Sequence, residues 1–142
     1  AMPLDGLFVM AIDDQEDARD ALEAVLSASG ARVRLAASGD EALAWLANTP
    51  TQQWPHALVC DIVLADEDGY DVLRRLRRLE AERELPLEER LPAIALTGYA
   101  QAEDRIRAKT AGFQAHLTKP VAADQLIADI RHLAMASARA AV

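Results

Sequence analysis

Five short runs of apolar residues recur along the chain, and a polar residue directly follows four of them. The runs span residues 7–12, 32–36, 57–60, 93–96 and 114–117, and the second alternates apolar residues with arginines. Between the runs, apolar residues recur every three or four positions, as Leu22, Val25 and Leu26 do. A short apolar run is typical of a strand, whereas the longer spacing is typical of a helix. The pattern therefore predicts strands separated by helices.

Capping signals mark the ends of the predicted helices. Gly30 and Gly112 are placed to end the first and fourth helices, because glycine adopts the left-handed conformation that closes a helix. Ser38 with Glu41 fits a capping box at the start of the second helix, and Asp68 or a neighbour caps the third. The first, fourth and fifth helices are predicted over residues 16–29, 102–111 and 123–136, and the second ends near residue 47.

A strand followed by a helix, repeated five times, predicts an α/β fold with a parallel sheet and helices on both faces. Because crossovers between parallel strands are right-handed, few topologies remain. The doubly wound order 2-1-3-4-5, in a flavodoxin-like architecture, is the leading candidate. The strands that end at residues 12, 60, 96 and 117 are then neighbours.

Composition limits the class of protein. The 142 residues suggest one domain, and 51% hydrophobic with 4% aromatic residues predicts an aliphatic core. The single cysteine, Cys60, excludes an internal disulfide and a zinc site built on several cysteines, and a cytoplasmic setting is expected. A net charge of −8 argues against non-specific nucleic-acid binding. No apolar run is long enough for a membrane span, so we expect no membrane contact.

The third helix carries a dense run of charge on one face. Its arginines and acids are Arg74, Arg75, Arg77, Arg78, Glu80 and Glu82. A basic run could contact nucleic acid. We favour the other interpretation, a solvated face on which arginines pair with acids three or four residues away.

The residues that follow the strands carry the candidate chemistry. Asp13 and Asp14 follow the first strand, Asp61 the third, Thr97 the fourth and Lys119 the fifth. In the predicted order, the carboxyl ends of these four strands form one continuous rim, with neighbours about 4.8 Å apart. We therefore expect the three aspartates and Thr97 in one small site, which Lys119 reaches with its long side chain.

Three crowded carboxylates repel one another, so they either hold protons or bind a cation. Oxygen ligands favour a hard ion such as Mg²⁺, or Mn²⁺ in its place. A carboxylate beside that ion and an ammonium group can attack phosphorus and form an aspartyl phosphate. In this chemistry one of the carboxylates would be the nucleophile, and Lys119 and the Thr97 hydroxyl would neutralise charge on the phosphoryl oxygens.

Each residue also has a structural interpretation. Asp13 or Asp14 could cap the first helix, Asp61 could be a loop aspartate, and Lys119 could be a surface lysine. Cys60 is best interpreted as a small buried apolar residue rather than a redox centre. The functional interpretation is favoured because the residues recur together at the ends of neighbouring strands.

The sequence resembles the receiver domain of two-component response regulators over about residues 7–135. The matching pieces are Ile12-Asp13-Asp14, Asp61 with Gly69 eight residues on, the stretch from Ala95 to Ala100, Ala111-Gly112 and Lys119-Pro120. The stretch from Pro92 to Val121 looks most like receivers at the carboxyl end of hybrid sensor histidine kinases. The length leaves no room for a DNA-binding output domain, so we expect output by protein contact or in a missing part of a longer chain.

The resemblance implies roles for single residues. Asp61 would take a phosphoryl group from a phosphohistidine of a histidine kinase or a histidine phosphotransfer protein. Asp14 and Asp61 would ligate Mg²⁺ directly, together with the backbone carbonyl of Val63, while Asp13 would act through water. Lys119 would pair with the phosphoryl group, and its bond to Pro120 would be cis.

The resemblance also implies a switch. Thr97 would move towards the phosphoryl group, and the ring at position 116 would swing inward and repack the face formed by helix 4, strand 5 and helix 5. Here that position holds His116 instead of the usual aromatic residue, so the coupling is expected to be weaker or sensitive to pH. Val63 and Tyr99 flank the site and could tune access of water.

Two other functions compete with the phosphoacceptor. A pseudo-receiver would serve only as an interaction module, but it has no need to retain all five polar residues. An aspartate-nucleophile phosphatase of the haloacid dehalogenase type places Asp-x-Asp after its first strand. Here the first strand ends in adjacent aspartates and the candidate nucleophile, Asp61, follows the third strand. We expect a signalling domain, with no substrate turnover of its own.

Overall fold

The computed structural model describes residues 2–98 and 101–137, which form five strands and five α-helices. The strands are β1 (Phe8–Ile12), β2 (Arg32–Ala36), β3 (Ala57–Asp61), β4 (Ala93–Thr97) and β5 (Ala115–Thr118). The helices are α1 (Glu16–Ala28), α2 (Gly39–Ala47), α3 (Gly69–Glu82), α4 (Ala102–Ala111) and α5 (Ala123–Ala136). Single 3₁₀ turns lie at Thr51–Gln53 and Leu87–Glu89.

The strands form one parallel sheet in the order β2-β1-β3-β4-β5, which confirms the predicted fold. The predicted bounds are close, but β3, β4 and β5 each continue one residue further, to Asp61, Thr97 and Thr118. No helix among the described residues is long and apolar enough to cross a membrane.

Helices cover both faces of the sheet. All residues of β1, β3 and β4 are buried, because alternate side chains enter an apolar layer on either side. One layer packs the sheet against α2, α3 and Phe113, and the other packs it against α1 and α5. These three buried strands hold their carboxyl ends at a fixed edge.

The structure confirms the predicted glycines at two helix C-termini and the predicted caps at two helix N-termini. Gly30 and Gly112 have φ angles of +100° and +114°, a region that side chains disfavour. The amide of Glu41 donates to the hydroxyl of Ser38, and the Asp68 carboxylate accepts from the amide of Asp71.

On the outer face of α3, the predicted pairing over three residues is found for Arg74 with Asp71, but the expectation of a solvated face is wrong for two residues. Glu80 is fully buried and the Arg77 side chain is only 16% exposed, and the two form an ion pair of 2.7 Å. Arg77 also donates to the carbonyl oxygens of Leu91 and Gly112, while Glu80 accepts from the amide of Leu91. The pair is buried because it satisfies the backbone of two loops that fold against α3.

Candidate functional site

Asp13 and Asp14 emerge from the buried end of β1. Asp13 is 1% exposed, and its Oδ1 accepts a hydrogen bond of 2.9 Å from the amide of Gln15. Gln15 occupies the N-cap position of α1 and makes no side-chain cap bond. Neither aspartate is therefore the N-cap of α1, and the structural interpretation of this pair is wrong.

Asp61 ends β3 directly beside Asp13. Ile12 pairs with Cys60 in the sheet, so the next residues of the two strands leave it side by side. Asp61 is 4% exposed. Its Oδ1 accepts from the amide of Val63 at 3.0 Å, and its Oδ2 accepts from the Lys119 ammonium at 2.8 Å.

The loop after Asp61 turns back on itself. The amide of Gly69 donates to the carbonyl of Ile62, and Val63 pairs with Asp68 in an antiparallel bridge. A Cβ at Gly69 would lie 2.7 Å from the carbonyl oxygen of Asp61, closer than packed atoms allow. This close approach requires glycine, and it fixes the first turn of α3 against the carboxyl end of β3.

Thr97 and Lys119 come from the next two strands. Thr97 is fully buried at the end of β4 and pairs with Thr118 of β5. The amide of Lys119 donates to the carbonyl of Thr97 at 2.7 Å, and the Lys119–Pro120 peptide bond is cis, as expected. Four strand ends therefore bring the predicted residues to one edge of the sheet.

The site has an excess of negative charge. Asp13, Asp14 and Asp61 each offer a carboxylate oxygen, and these oxygens lie within 4.8 Å of one another. Burial, above all, raises the pKa of Asp13, and the Asp61 charge raises it further, while the bond from Gln15 and the charge of Lys119 oppose the shift.

The donor set fits a hard divalent cation. The three carboxylates outnumber the one ammonium that contacts them, and all of the side-chain ligand atoms are oxygens. Mg²⁺ and Mn²⁺ prefer such ligands. A divalent charge would favour the ionised form of Asp13, whose pKa is raised by burial first and by the Asp61 charge second.

The model of the response regulator receiver domain family matches residues 9–131. The chain belongs to this family. The match covers every strand of the sheet and each of the polar residues at the strand ends.

Individual relatives agree with the family. This receiver domain is 39% identical over 128 residues to an uncharacterized 14.6 kDa protein of Leptolyngbya boryana, with 90% of each chain covered. It is 34% identical over 125 residues to the response regulator MprA of Mycobacterium leprae, covering 88% of this chain and 50% of that protein. The receiver domain thus spans about half the length of the MprA relatives it matches. The solved receiver domain of Francisella response regulator 1452 superposes with a TM-score of 0.78 at 25% identity, over 92% of this chain and 98% of that one.

His116 lies on β5 beside an open groove of about 900 Å³ between α4 and α5. Both ring nitrogens are shielded from solvent and have no hydrogen-bond partner among the described residues. Burial, first of all, and the charge of Arg105 lower the pKa of His116, while Asp104 opposes the shift. The ring is therefore neutral near pH 7 and is placed on the face that the family resemblance assigns to switching.

Cys60 is fully buried in the sheet, as predicted. Burial and the charge of the neighbouring Asp61 strongly raise the pKa of its thiol. The thiol therefore stays protonated and is a poor nucleophile. Tyr99 and Ala100, which the resemblance also used, lie outside the described residues.

The sequence did not predict the contacts that brace the loop after Asp61. Arg75 of α3 pairs with Glu67 of this loop and with Asp40 of α2. Arg107 of α4 pairs with the second carboxylate oxygen of Asp68 at 3.3 Å. Each arginine lies on a helix surface, where a charge pattern alone does not indicate which of many acids it contacts.

Proposed function

We propose that this receiver domain is the phosphoacceptor of a two-component system or phosphorelay, with Asp61 as the acceptor. The observation that carries the proposal is the Asp61 carboxylate itself. It is nearly buried, it is bound by Lys119 at 2.8 Å, and it lies within 4.8 Å of oxygens of Asp13 and Asp14. A structural ion pair needs only the lysine, whereas a phosphoacceptor needs the whole set.

In the proposed step, a carboxylate oxygen of Asp61 attacks the phosphorus of a phosphohistidine. The new P–O bond forms as the P–N bond breaks, and the electron pair leaves with the imidazole nitrogen, which then takes up a proton. Lys119 offsets charge on the phosphoryl oxygens, and the Thr97 hydroxyl donates a hydrogen bond to one of them. The donor is a histidine kinase or a histidine phosphotransfer protein.

The metal ligands in this proposal are Asp14, Asp61 and the backbone carbonyl of Val63, with Asp13 acting through water. These ligands would hold a Mg²⁺ or Mn²⁺ ion, which would supply positive charge against the charge that builds on the transferring group. Without it, the phosphoryl group would add negative charge beside carboxylates that already repel one another. Transfer is therefore expected to depend on the metal.

Phosphorylation of Asp61 is proposed to act through Thr97 and His116. A phosphoryl group that draws the Thr97 hydroxyl inward would free space beside β5, and the His116 ring would follow. The surface formed by α4, β5 and α5 would change and alter a contact with another protein. The domain is a signalling switch in this proposal and turns over no independent substrate.

We further place the domain in the cytoplasm, where kinases draw on ATP. A position at the carboxyl end of a hybrid sensor histidine kinase remains our prediction for the longer protein. The MprA relatives, of which the chain covers half, are named as response regulators instead.

The test is the intact mass of the protein after incubation with acetyl phosphate and Mg²⁺. We expect one added phosphoryl group, which is absent without Mg²⁺ and absent in Asp61→Asn. Asp66→Asn, in the exposed part of the same loop, is the matched control and should be labelled like the wild type.

If no mass adduct is found, beryllofluoride, a stable mimic of a phosphoryl group, distinguishes the possible reasons. Binding of the mimic without a mass adduct would indicate a short-lived phosphoryl group. Failure to bind it would contradict the proposal and favour the pseudo-receiver. Steady turnover of a generic phosphate ester would favour the phosphatase.

A further inference from the structure

Strand β2 lies at one edge of the sheet and pairs only with β1 among the described residues. The amide of Arg32 donates to the carbonyl of Leu7, and the carbonyl of Ala36 accepts from Asp13. In a parallel strand, successive residues direct their backbone N–H and C=O groups to opposite sides. Because Arg32 and Ala36 bond towards β1, the backbone groups of Val33 and Leu35 face the open side. The β2 edge, residues 32–36, can therefore accept a further extended segment.

Two arginines of the β2 edge lie over aromatic rings. The guanidinium of Arg32 lies 4.6 Å from the ring centre of Phe8, and that of Arg34 lies 4.5 Å from the ring centre of Trp45. The two rings contact each other edge to face, with centroids 6.0 Å apart. The rings limit the motion of both guanidinium groups, so the arginine side chains would lose less entropy when a ligand binds.

Arg32 and Arg34 have no carboxylate partner among the described residues. Neither side chain forms an ion pair or a hydrogen bond among residues 2–98 and 101–137, whereas four other arginines pair with carboxylates. Glu23 lines the same groove but lies beyond ion-pair distance. Two cations without an ion pair in the described part of the chain thus lie side by side on one strand, in a protein that carries 23 acids and a net charge of −8.

The groove beside the β2 edge measures about 680 Å³. Its lining includes Phe8, Arg32, Arg34, Trp45, Gln52 and Gln53. A guanidinium that lies over a ring retains N–H groups that do not face the ring, and these can match a carboxylate in a bidentate pair. Arg32 and Arg34 lie two residues apart on one face of the strand, about 6.6 Å, which is also the spacing of alternate side chains in a partner strand.

We propose that the β2 edge docks an extended acidic segment of a partner protein, in which carboxylates occupy alternate positions. The segment would bond to the backbone of Val33 and Leu35 and pair its carboxylates with Arg32 and Arg34. This surface is independent of the phosphoacceptor site at the carboxyl ends of the strands. The competing interpretation is that the arginines only protect an exposed edge from aggregation.

The test is a titration of the full chain with a hexapeptide of alternating glutamate and threonine, followed by ¹H–¹⁵N correlation spectra. We expect the largest shifts at the amides of Val33 and Leu35 and at the indole of Trp45. The double variant Arg32→Gln/Arg34→Gln should bind about tenfold more weakly or worse, as expected for the loss of charged hydrogen bonds. Arg78→Gln is the matched control, because Arg78 is exposed and has no ion pair among the described residues.

Further probes separate the alternatives. A peptide of the same composition with contiguous glutamates should bind more weakly, and equal binding would overturn the alternating register. Stronger binding of an oligothymidylate would overturn the choice of an acidic peptide. If the spectra show no shifts, or if the double variant shows equal shifts, the proposal is overturned and the arginines only protect the exposed edge from aggregation. Asp61→Asn should bind the peptide like the wild type, so this result does not depend on phosphorylation.

Discussion

The Lys119 ammonium lies 2.8 Å from Oδ2 of Asp61, although 58 positions separate the two residues in the chain. The lysine side chain is 40% exposed and that of the aspartate is 6% exposed. The contact therefore joins the surface to a nearly buried carboxylate, across the ends of β3 and β5. The β4 end lies between them, so Thr97 is placed at the same edge.

Replacement of Lys119 tests this contact. Lys119→Met should slow phosphorylation of Asp61 by acetyl phosphate about 100-fold, the usual effect of removing one group that stabilises charge in a transition state. The rate is measured from intact mass against time. The chain has only one other lysine, Lys109 on α4, and Lys109→Met should leave the rate near that of the wild type. Equal rates in the two variants would show that Lys119 has a structural role only.

Most of the fold and the placement of the site residues follow from the sequence. Apolar runs that end in Asp13, Asp61 and Thr97 predict strands, and the strand order then brings their ends together. This inference needs no side-chain detail, because the carboxyl ends of parallel strands share one edge of the sheet.

The failures concern side chains whose partners lie far along the chain. Glu80 occupies an outward position on α3 by helical spacing, and it is buried because the segment around Leu91 folds over it. Arg77 bonds to the carbonyl of Gly112, 35 residues away. Neither loop position follows from the periodicity of α3, so a charge pattern that indicates a solvated face is misleading here.

The crowding of carboxylates predicts that Asp13 destabilises the metal-free protein. Asp13→Asn removes one buried charge beside Asp61. The free energy of unfolding should increase by about 1 kcal/mol, a typical size for the effect of a single substitution. Millimolar Mg²⁺ should stabilise the wild type and stabilise the variant less. Urea unfolding with and without Mg²⁺ measures both effects. The exposed Asp17→Asn is the control, and an equal gain in stability there would contradict the explanation.

The buried pair of Arg77 and Glu80 predicts a large loss of stability. Glu80→Leu leaves the Arg77 cation without its carboxylate and the Leu91 amide without its acceptor, so unfolding should become easier by about 3 kcal/mol. Glu82→Leu, on an exposed position of the same helix, should change stability by less than about 0.5 kcal/mol. Urea unfolding at neutral pH compares them, and similar losses would contradict a special role for the buried pair.

His116 predicts a loss of stability in mild acid. Because burial lowers its pKa in the folded protein, the unfolded chain takes up the proton more readily as the pH falls. The stability contribution of the neutral ring is therefore complete above the unfolded pKa of about 6.5 and declines as the pH falls through that value. Relative to His116→Phe, which cannot titrate, the wild type should lose stability between about pH 7.5 and pH 5. Urea unfolding at both pH values measures this loss of stability. The control variant His132→Phe, changed at an exposed position of α5, should lose stability in acid as the wild type does. If the wild type and His116→Phe keep the same difference in stability at both pH values, the buried ring is not the group that senses acid.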